Sequence, residues 1–346
     1  MKSLAPDHFS PETVYLNTAS WGLIPTGAVA VMTASVAAAS VGRPQEEVFS
    51  AAVEAARAAY GRLLGVPAGR VATGSSVAAY CGLIAQSLPS GSEVLVADGD
   101  FSSLVNPFHV RHDLRVRTVP LEKVADEVRP GTALVAVSAV QSADGRIAAL
   151  DEIGAAARAH GARTLIDVSQ AVGWLPVDAT AHDYTVCVGY KWLMCPRGTA
   201  FLTVPEDLGG LTPVFAGWTS GEEPWESCYG RVEPLAASAR RFDANVPVFS
   251  YVAARESLGL VEALGVERIG AYDVALADRF RAGVAGLGHV PVEAAGSAIV
   301  AVPGLGDAAA RLAAAGVHVS ARAGNLRAAF HLYNTVADVD RLLEAL

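Results

Sequence analysis

The sequence feature that most constrains the fold is an alternation of short apolar runs with helical stretches through the middle of the chain. Helical candidates lie at residues 76–88 and 151–160, and Asp151 suits the start of the second. The apolar runs are five residues long and are typical of buried strands: 93–97, 134–138, 164–168 and 184–188. This order predicts an α/β fold with a mostly parallel sheet that is covered by helices on both faces. In such folds, ligands bind at the carboxyl ends of the strands.

From about residue 243 the pattern changes to longer helices, predicted at 252–264 and 274–287. Two short strands at 297–302 and 327–331 and a last helix at 336–346 follow. That order is typical of a smaller α+β domain. We therefore predict an N-terminal segment (1–25), a large domain (26–242) and a small C-terminal domain (243–346).

The composition excludes several classes of protein. A net charge of −9 argues against a nucleic-acid partner, because such proteins present basic faces. The chain has no run of 18 apolar residues, and its first 17 residues lack the apolar stretch of a secretion signal. The four cysteines form no CxxC pair, and the HxxH of His109 and His112 lacks a third ligand nearby. We expect a cytoplasmic protein without a metal site and without a membrane contact.

A single lysine stands in the almost wholly apolar run VCVGYKWLMCPRG, which covers residues 186–198. The chain has 26 basic residues, of which Lys2, Lys123 and Lys191 alone are lysines. Arginine cannot replace lysine where an amine must lose its proton and attack a carbonyl carbon. Lys191 is therefore a candidate for a covalent bond to an aldehyde, although a lysine that snorkels from a strand end remains an alternative.

Two polar residues at the end of a predicted strand give Lys191 a chemical context. Asp167 ends the run LID, and Gln170 follows three residues later. If the ligand is pyridoxal phosphate, the lysine holds its aldehyde, the aspartate keeps its pyridine nitrogen protonated and the glutamine supports its phenolic oxygen. Gly74, Ser75 and Ser76 lead into a helix, whose free N–H groups suit a phosphate, although such a turn also serves as a plain helix cap.

Several runs resemble, in the same order, the class V aminotransferase family of fold-type I pyridoxal-phosphate-dependent enzymes. This family includes cysteine desulfurases, kynureninase, isopenicillin N epimerase-like proteins and hercynylcysteine sulfoxide lyase. The runs are YLNTASWGLIP (15–25), ATGSS (72–76), GDFSSLVNPF (99–108), SAVQSADGRI (138–147), LIDVSQAVGWLPVD (165–178), GYKWLMCPRGTAFL (189–202), RRFD (240–243) and LRAAFHLYNTVADVDRLLEAL (326–346). The resemblance implies a seven-stranded sheet in the large domain, a small C-terminal domain and a homodimer with its active site at the subunit interface.

The resemblance also implies roles for individual residues. Lys191 would bind the cofactor covalently, Asp167 would contact the pyridinium nitrogen and Gln170 the phenolate side. Arg327 would bind the α-carboxylate of an amino-acid substrate. The remaining implied contacts are the phosphate site of Gly74, Ser75, Ser76 and Tyr190, the ring-stacking residue Phe101, and Ala19 and Ser20 in the N-terminal segment that lines the substrate pocket.

Departures from the family pattern bear on the reaction. Cysteine desulfurases place a histidine where this chain has Phe101, and a nucleophilic cysteine upstream of the arginine, where residues 317–327 contain none. Ser142 stands where many members have asparagine, and Val246 where relatives supply a phosphate-binding threonine. We therefore predict β-elimination on a cysteine-derived substrate and no persulfide chemistry. Transamination or epimerisation is the alternative, and a non-catalytic protein that binds pyridoxal phosphate is a remote one.

Overall fold

The computed structural model describes residues 1–346 and contains nine α-helices and twelve β-strands. The helices are α1 (Thr26–Ser40), α2 (Glu46–Leu63), α3 (Val77–Ser87), α4 (Ser102–His109), α5 (Leu150–His160), α6 (Val248–Leu264), α7 (Val266–Gly286), α8 (Ala308–Ala314) and α9 (Val336–Ala345). The strands are β1 (Val14–Tyr15), β2 (Val71–Gly74), β3 (Glu93–Ala97), β4 (Arg115–Val119), β5 (Thr132–Ser138), β6 (Arg163–Asp167), β7 (Tyr184–Val188), β8 (Ala200–Thr203), β9 (Ile299–Val302), β10 (Val317–His318), β11 (Ser320–Arg322) and β12 (Asn325–Ala329).

Seven strands form the central sheet, in the order β2-β8-β7-β6-β5-β3-β4. All the pairings from β7 to β4 are parallel, and β8 runs antiparallel to both of its neighbours. Successive residues of β5 face opposite sides, so Val135 and Val137 belong to one hydrophobic core and Leu134 and Ala136 to another. The predicted α/β fold, with a mostly parallel seven-stranded sheet covered on both faces, is confirmed.

The predicted elements of the large domain occur with small shifts of their ends. The four predicted strands correspond to β3, β5, β6 and β7, within two residues at each end. Asp151, expected at the start of its helix, lies one residue inside α5, which begins at Leu150 and follows Ala149 at the cap position. This difference is of the size by which helix ends commonly vary.

Helix α7 begins eight residues earlier than predicted, because a single residue separates it from α6. Gly265 has a φ of 82°, a left-handed conformation that ends one helix and lets the next begin at Val266. Helix α6 packs against α1 and α2. It therefore joins the C-terminal part of the chain to the helices that precede the central sheet, and the domain boundaries remain predictions.

The C-terminal part contains a three-stranded antiparallel sheet with the order β11-β12-β9. The N-terminal segment joins this region, since β1 pairs in parallel with β10 and Val14 lies opposite Val317. Asn17 then bridges to Ala329 at the end of β12. The N-terminal segment thus lies against the small sheet before the chain enters the large domain. None of the helices combines the length and apolar character that crossing a membrane requires.

Candidate active site

A cavity of about 180 Å³ lies at the carboxyl ends of β6 and β7. Six of the residues singled out in the sequence line it: Ser75, Ser76, Phe101, Asp167, Tyr190 and Lys191. They come from four separate stretches of the chain, and the parallel sheet brings the ends of those stretches together at one edge. The other predicted residues, Gly74, Gln170, Ala19, Ser20 and Arg327, do not line this cavity.

Lys191 follows β7 by three residues and is only 6% exposed. Burial, together with the guanidinium charge of Arg327, lowers the pKa of its amine to about 8, while the charge of Asp167 opposes this effect. Its Nζ lies 5.1 Å from the centre of the Phe101 ring. An amine with this pKa is substantially neutral at mildly alkaline pH and can act as a nucleophile or a base.

Asp167 is the last residue of β6 and is buried beside Lys191. Burial raises the pKa of its carboxyl, while the lysine charge and the backbone N–H of Ser169 oppose this effect. That N–H donates to Oδ1 over 2.8 Å. A carboxylate fixed in this way inside the cavity suits a cationic ligand group such as a protonated ring nitrogen.

Another part of the cavity lining, at the start of α3, suits an anion. Helix α3 begins at Val77, and Ser76 at its cap position makes no side-chain hydrogen bond to the helix. The first turn contains no acidic residue, so the N–H groups of the helix and the hydroxyls of Ser75 and Ser76 remain available. Arg197 lines the same cavity. Backbone N–H groups, the helix dipole and a guanidinium together form a favourable phosphate site.

Gly74 acts on this site through packing. A Cβ at this position would lie 2.7 Å from Oη of Tyr80, a contact that no larger residue tolerates unless the tyrosine moves. Its N–H donates to Oη of Tyr251 over 3.0 Å, and its carbonyl oxygen accepts from the same hydroxyl over 2.7 Å. These contacts fix the backbone immediately before the two serines.

A buried ion pair holds the strand β2, which leads into Ser75 and Ser76. Arg57 of α2 donates to both carboxylate oxygens of Asp243, over 3.1 and 2.6 Å. Oδ1 of Asp243 also accepts from the backbone N–H of Thr73 in β2 over 2.8 Å. The aspartate of the RRFD run therefore joins α2 to the strand that leads into the phosphate site.

Arg327 lies in a second polar cluster, on β12. It is 1% exposed and donates to the hydroxyls of Ser320 (3.0 Å), Ser142 (3.1 Å) and Ser20 (2.6 Å). None of the sixteen ion pairs of the structure includes Arg327 or Lys191. Burial and the charge of Arg322 lower the pKa of Arg327 to about 9. A buried guanidinium with only neutral partners is a favourable site for a ligand carboxylate.

Gln170 connects this cluster to the lysine loop. Its Nε2 donates to the carbonyl oxygen of Ala19 (2.9 Å) and to Oγ of Ser142 (3.0 Å). Its Oε1 accepts from Nε1 of Trp192, the residue after Lys191, over 2.7 Å. All its polar atoms are thus bound within the protein, and its predicted contact with a phenolic oxygen stays a prediction.

The sequence interpretation missed Arg197. Its guanidinium lies 4.7 Å from the ring centres of both Trp21 and Tyr190, in an arrangement typical of cation–π contacts. Trp21 belongs to the N-terminal segment, so this contact depends on tertiary structure. Ser103 and Ser169 also line the cavity and were not predicted. The signal that the sequence did contain is an arginine directly before a glycine in the lysine loop.

None of the four cysteines lines the cavity, and of the departures from the family pattern Phe101 lines it, Ser142 binds Arg327 and Val246 lies elsewhere. Cys81, Cys187 and Cys195 are buried, and Cys228 is exposed. Val246 lines a different cleft, with Trp218 and Trp225. No group of three or more His, Cys, Asp or Glu side chains is arranged to hold a metal ion.

Comparison with known proteins gives a consistent result. The family model described as aminotransferase class-V matches residues 33–342. The chain is 31% identical over 230 residues to isopenicillin N epimerase from Streptomyces clavuligerus, and this match covers 60% of this chain and 58% of that protein. It is 31% identical over 198 residues to kynureninase from Deinococcus radiodurans, and this match covers 54% of this chain and 47% of that protein. The chain thus spans about half the length of the curated relatives it matches.

Solved structures resemble the fold over almost the whole chain. The cystine C-S lyase C-DES, in complex with its reaction product cysteine persulfide, has a TM-score of 0.87 at 23% identity and covers 96% of this chain and 97% of that chain. A cysteine desulfurase from Thermococcus onnurineus NA1 has a TM-score of 0.83 at 20% identity, and the match covers 96% of this chain and 93% of that chain. At these identities the likeness shows the fold.

Proposed function

The chain belongs to the aminotransferase class-V family of pyridoxal-phosphate-dependent enzymes, and we propose that it catalyses β-elimination on a cysteine-derived amino acid. In this reaction a cysteine S-conjugate and water give a thiol, pyruvate and ammonium. The observation that carries the proposal is a buried lysine of lowered pKa beside an unpaired buried arginine, in a site without an accessible thiol.

The residues of the cavity fit pyridoxal phosphate. Lys191 offers a neutral amine for the aldehyde, Asp167 a buried carboxylate for the ring nitrogen, and the start of α3 a set of free N–H groups for the phosphate. Phe101 lies over the lysine amine, where its ring can stack on a planar ligand. When bound, the cofactor supplies an electron sink for the charge that develops at Cα of an amino acid.

The protein's own residues supply binding and proton transfer. Arg327 and the hydroxyl of Ser20 bind and orient the α-carboxylate. The amine of Lys191 is the general base for the Cα proton, since its lowered pKa allows it to accept a proton near neutral pH. Once that proton is removed, a thiolate at Cβ can leave with the electron pair of the C–S bond.

Two observations support elimination over transfer of sulfur to the protein. The segment between β11 and β12 is a short turn of Ala323 and Gly324, and it carries no cysteine. Cys187, in the strand that precedes Lys191, is buried, and burial raises the pKa of its thiol, which disfavours the reactive thiolate. The fold also accommodates the chemistry, since a cystine C-S lyase shares it.

A panel of cysteine S-conjugates tests this proposal. We expect pyruvate and ammonia in equal amounts, without an added keto acid, and the cofactor unchanged in its absorbance after turnover. Pyridoxamine phosphate without pyruvate would favour the aminotransferase alternative, and loss of optical activity without pyruvate would favour an epimerase. A yellow holoprotein that shows no spectral response to any amino acid would favour the non-catalytic alternative.

A further inference from the structure

We propose that Arg322 forms, beside Arg327, a second anion-binding position, and that the enzyme prefers amino acids whose side chain carries an additional acidic group. This proposal deepens the proposed function and rests on it for the identity of the substrate. The site lies between the hairpin of β11 and β12 and the turn at residues 17–20.

The register of the hairpin places both arginines on the same face. Ser320 lies opposite Arg327, and Arg322 lies opposite Asn325. Residues directly opposite each other in an antiparallel pair share a face, and so do alternate residues of one strand. Arg322 and Arg327 therefore project from the same side of the hairpin.

The two guanidinium groups converge on a single oxygen atom. Nη2 of Arg327 donates to Oγ of Ser20 over 2.6 Å, and Nη2 of Arg322 donates to the same atom over 3.1 Å. Ser20 is held there by the bridge between Asn17 and Ala329 and by its own N–H, which donates to the carbonyl oxygen of Asn17 over 2.9 Å. The charges of both arginines also lower the pKa of Lys191.

The second cation has no acidic partner in the protein. Arg322 donates otherwise only to the neighbouring carbonyl oxygen of Ala321, over 2.7 Å, and it takes part in none of the ion pairs. Like charges that face one oxygen repel each other unless an anion joins them. One carboxylate satisfies the buried Arg327, so the exposed Arg322 is left for a second anion nearer to solvent.

The serine hydroxyls complete the site. Oγ of Ser20 accepts two hydrogen bonds from arginines, and Oγ of Ser142 accepts from Gln170 and Arg327. A hydroxyl has two acceptor lone pairs and one donor. Because both lone pairs are used, each O–H group is left to donate, and an incoming anion is the partner that lies within reach of two cations and two hydroxyl donors.

Two isosteric substrates separate this proposal from the proposed function. S-(2-carboxyethyl)-cysteine carries a second carboxylate, and its carboxamide analogue has the same shape without the charge. We expect the acid to bind the holoprotein about tenfold to a hundredfold more tightly, since hydrogen bonds to charged groups are the stronger ones. Binding is read from the absorbance of the cofactor on titration, and turnover is read separately as pyruvate.

Variants of the hairpin sharpen the test. Arg322→Gln should remove most of the preference for the acid, and Arg322→Lys should keep part of it, because the charge remains. Arg255→Ala, which removes an exposed arginine paired with Glu256 on α6, is the matched control and should leave the preference intact. Since Arg322 is exposed, the Arg322→Gln variant should fold normally, which its circular dichroism and melting temperature check.

The outcomes are distinguishable. Equal affinity of the wild-type protein for the acid and the amide would show that Arg322 forms no second anion site. An equal loss of affinity for both in Arg322→Gln would show that Arg322 serves only the α-carboxylate, and either result would overturn the inference. A preference for the acid in binding without pyruvate formation would support the second anion site and contradict the elimination reaction. Pyruvate formed equally well from both substrates would contradict the inference and leave the proposed function in place.

Discussion

At the scale of single residues, the site is defined by two buried basic side chains that form no ion pair within the protein, although Asp167 lies beside one of them. Burying a charge without a partner costs several kcal/mol, so such groups persist where a ligand or a chemical role compensates. Lys191 and Arg327 are both of this kind, and each is held in place by elements that come from distant parts of the sequence.

The lowered pKa of Lys191 predicts how the apoprotein captures its cofactor. Covalent capture needs the neutral amine, so its rate should rise about tenfold per pH unit up to about pH 8 and then level off. With a lysine of ordinary pKa, the rate of capture would keep rising to about pH 10. Stopped-flow absorbance measures the rate, and borohydride should fix the label in the peptide that contains Lys191. Labelling at Lys2 or Lys123 would refute the assignment.

Asp167 should matter for turnover more than for cofactor retention. In Asp167→Asn the charge that keeps the ring nitrogen protonated is lost, so we expect a loss of roughly 100-fold or more in kcat. Cofactor content, read from absorbance, should fall less. Asp178→Asn is the control, because this carboxylate only caps the short turn at residues 179–181. If Asp167→Asn turned over normally, the aspartate would serve merely to bind the N–H of Ser169.

Sequence patterns predicted the site residues that follow strands, and missed those that depend on tertiary contacts. Asp167 and Lys191 stand at the carboxyl ends of apolar runs, where a parallel sheet gathers its ligand-binding groups. Arg197 and Arg322 carry no such signal, because each contacts a side chain, Trp21 or Ser20, that lies far away in the sequence. These two arginines can be recognised as site residues only once the position of the N-terminal segment in the fold is known.

At the scale of secondary-structure elements, the four adjacent strands β7, β6, β5 and β3 were predictable, and the strands on either side of them were not. The strands β3, β5 and β7 are apolar runs, whereas β4 has the sequence RVRTV and lies at the edge with mixed exposure. Strand β8 is apolar but short and runs antiparallel, a direction that the alternation of strands and helices does not reveal. The pairing of β1 with β10 joins residues about 300 positions apart, which local patterns cannot indicate.

One buried contact links α7 to the lysine loop. Asp273 of α7 and Nδ1 of His331 are 2.8 Å apart, and Nε2 of His331 lies 2.9 Å from the carbonyl oxygen of Trp192. Both side chains of this pair are completely buried. Through His331, the backbone of Trp192, the residue after Lys191, is thus connected to α7 in the C-terminal part of the molecule.

Removing one partner of this pair should be strongly destabilising. Asp273→Ala leaves His331 without its buried partner, and we expect a loss of about 3 kcal/mol or more in the free energy of unfolding, measured with urea. Asp278→Ala on the same helix is the matched control. Its carboxylate is 60% exposed and pairs with Arg281, so its removal should cost under about 0.5 kcal/mol. Similar losses in both variants would mean that the buried pair has no special role.

At the scale of the whole molecule, an apolar surface remains uncovered in the single chain. Trp225 is 66% exposed and its ring lies tilted against that of Trp218, with ring centres 5.1 Å apart. Together with Phe49 and Val246 they line a cleft of about 520 Å³, and Phe215 and Tyr229 are exposed in the same part of the chain. Contiguous apolar surface of this kind commonly marks a protein interface.

This surface leads to a prediction about assembly. We expect the protein to be a homodimer in which a second copy covers the cleft, and sedimentation velocity over a range of concentrations should show a dimer. Trp225→Glu places a charge in the interface and should shift the population to monomers. Val290→Glu should not, since Val290 is 82% exposed between α7 and β9 and does not line the cleft. A wild-type monomer, or a Trp225→Glu variant that remains dimeric, would contradict the prediction.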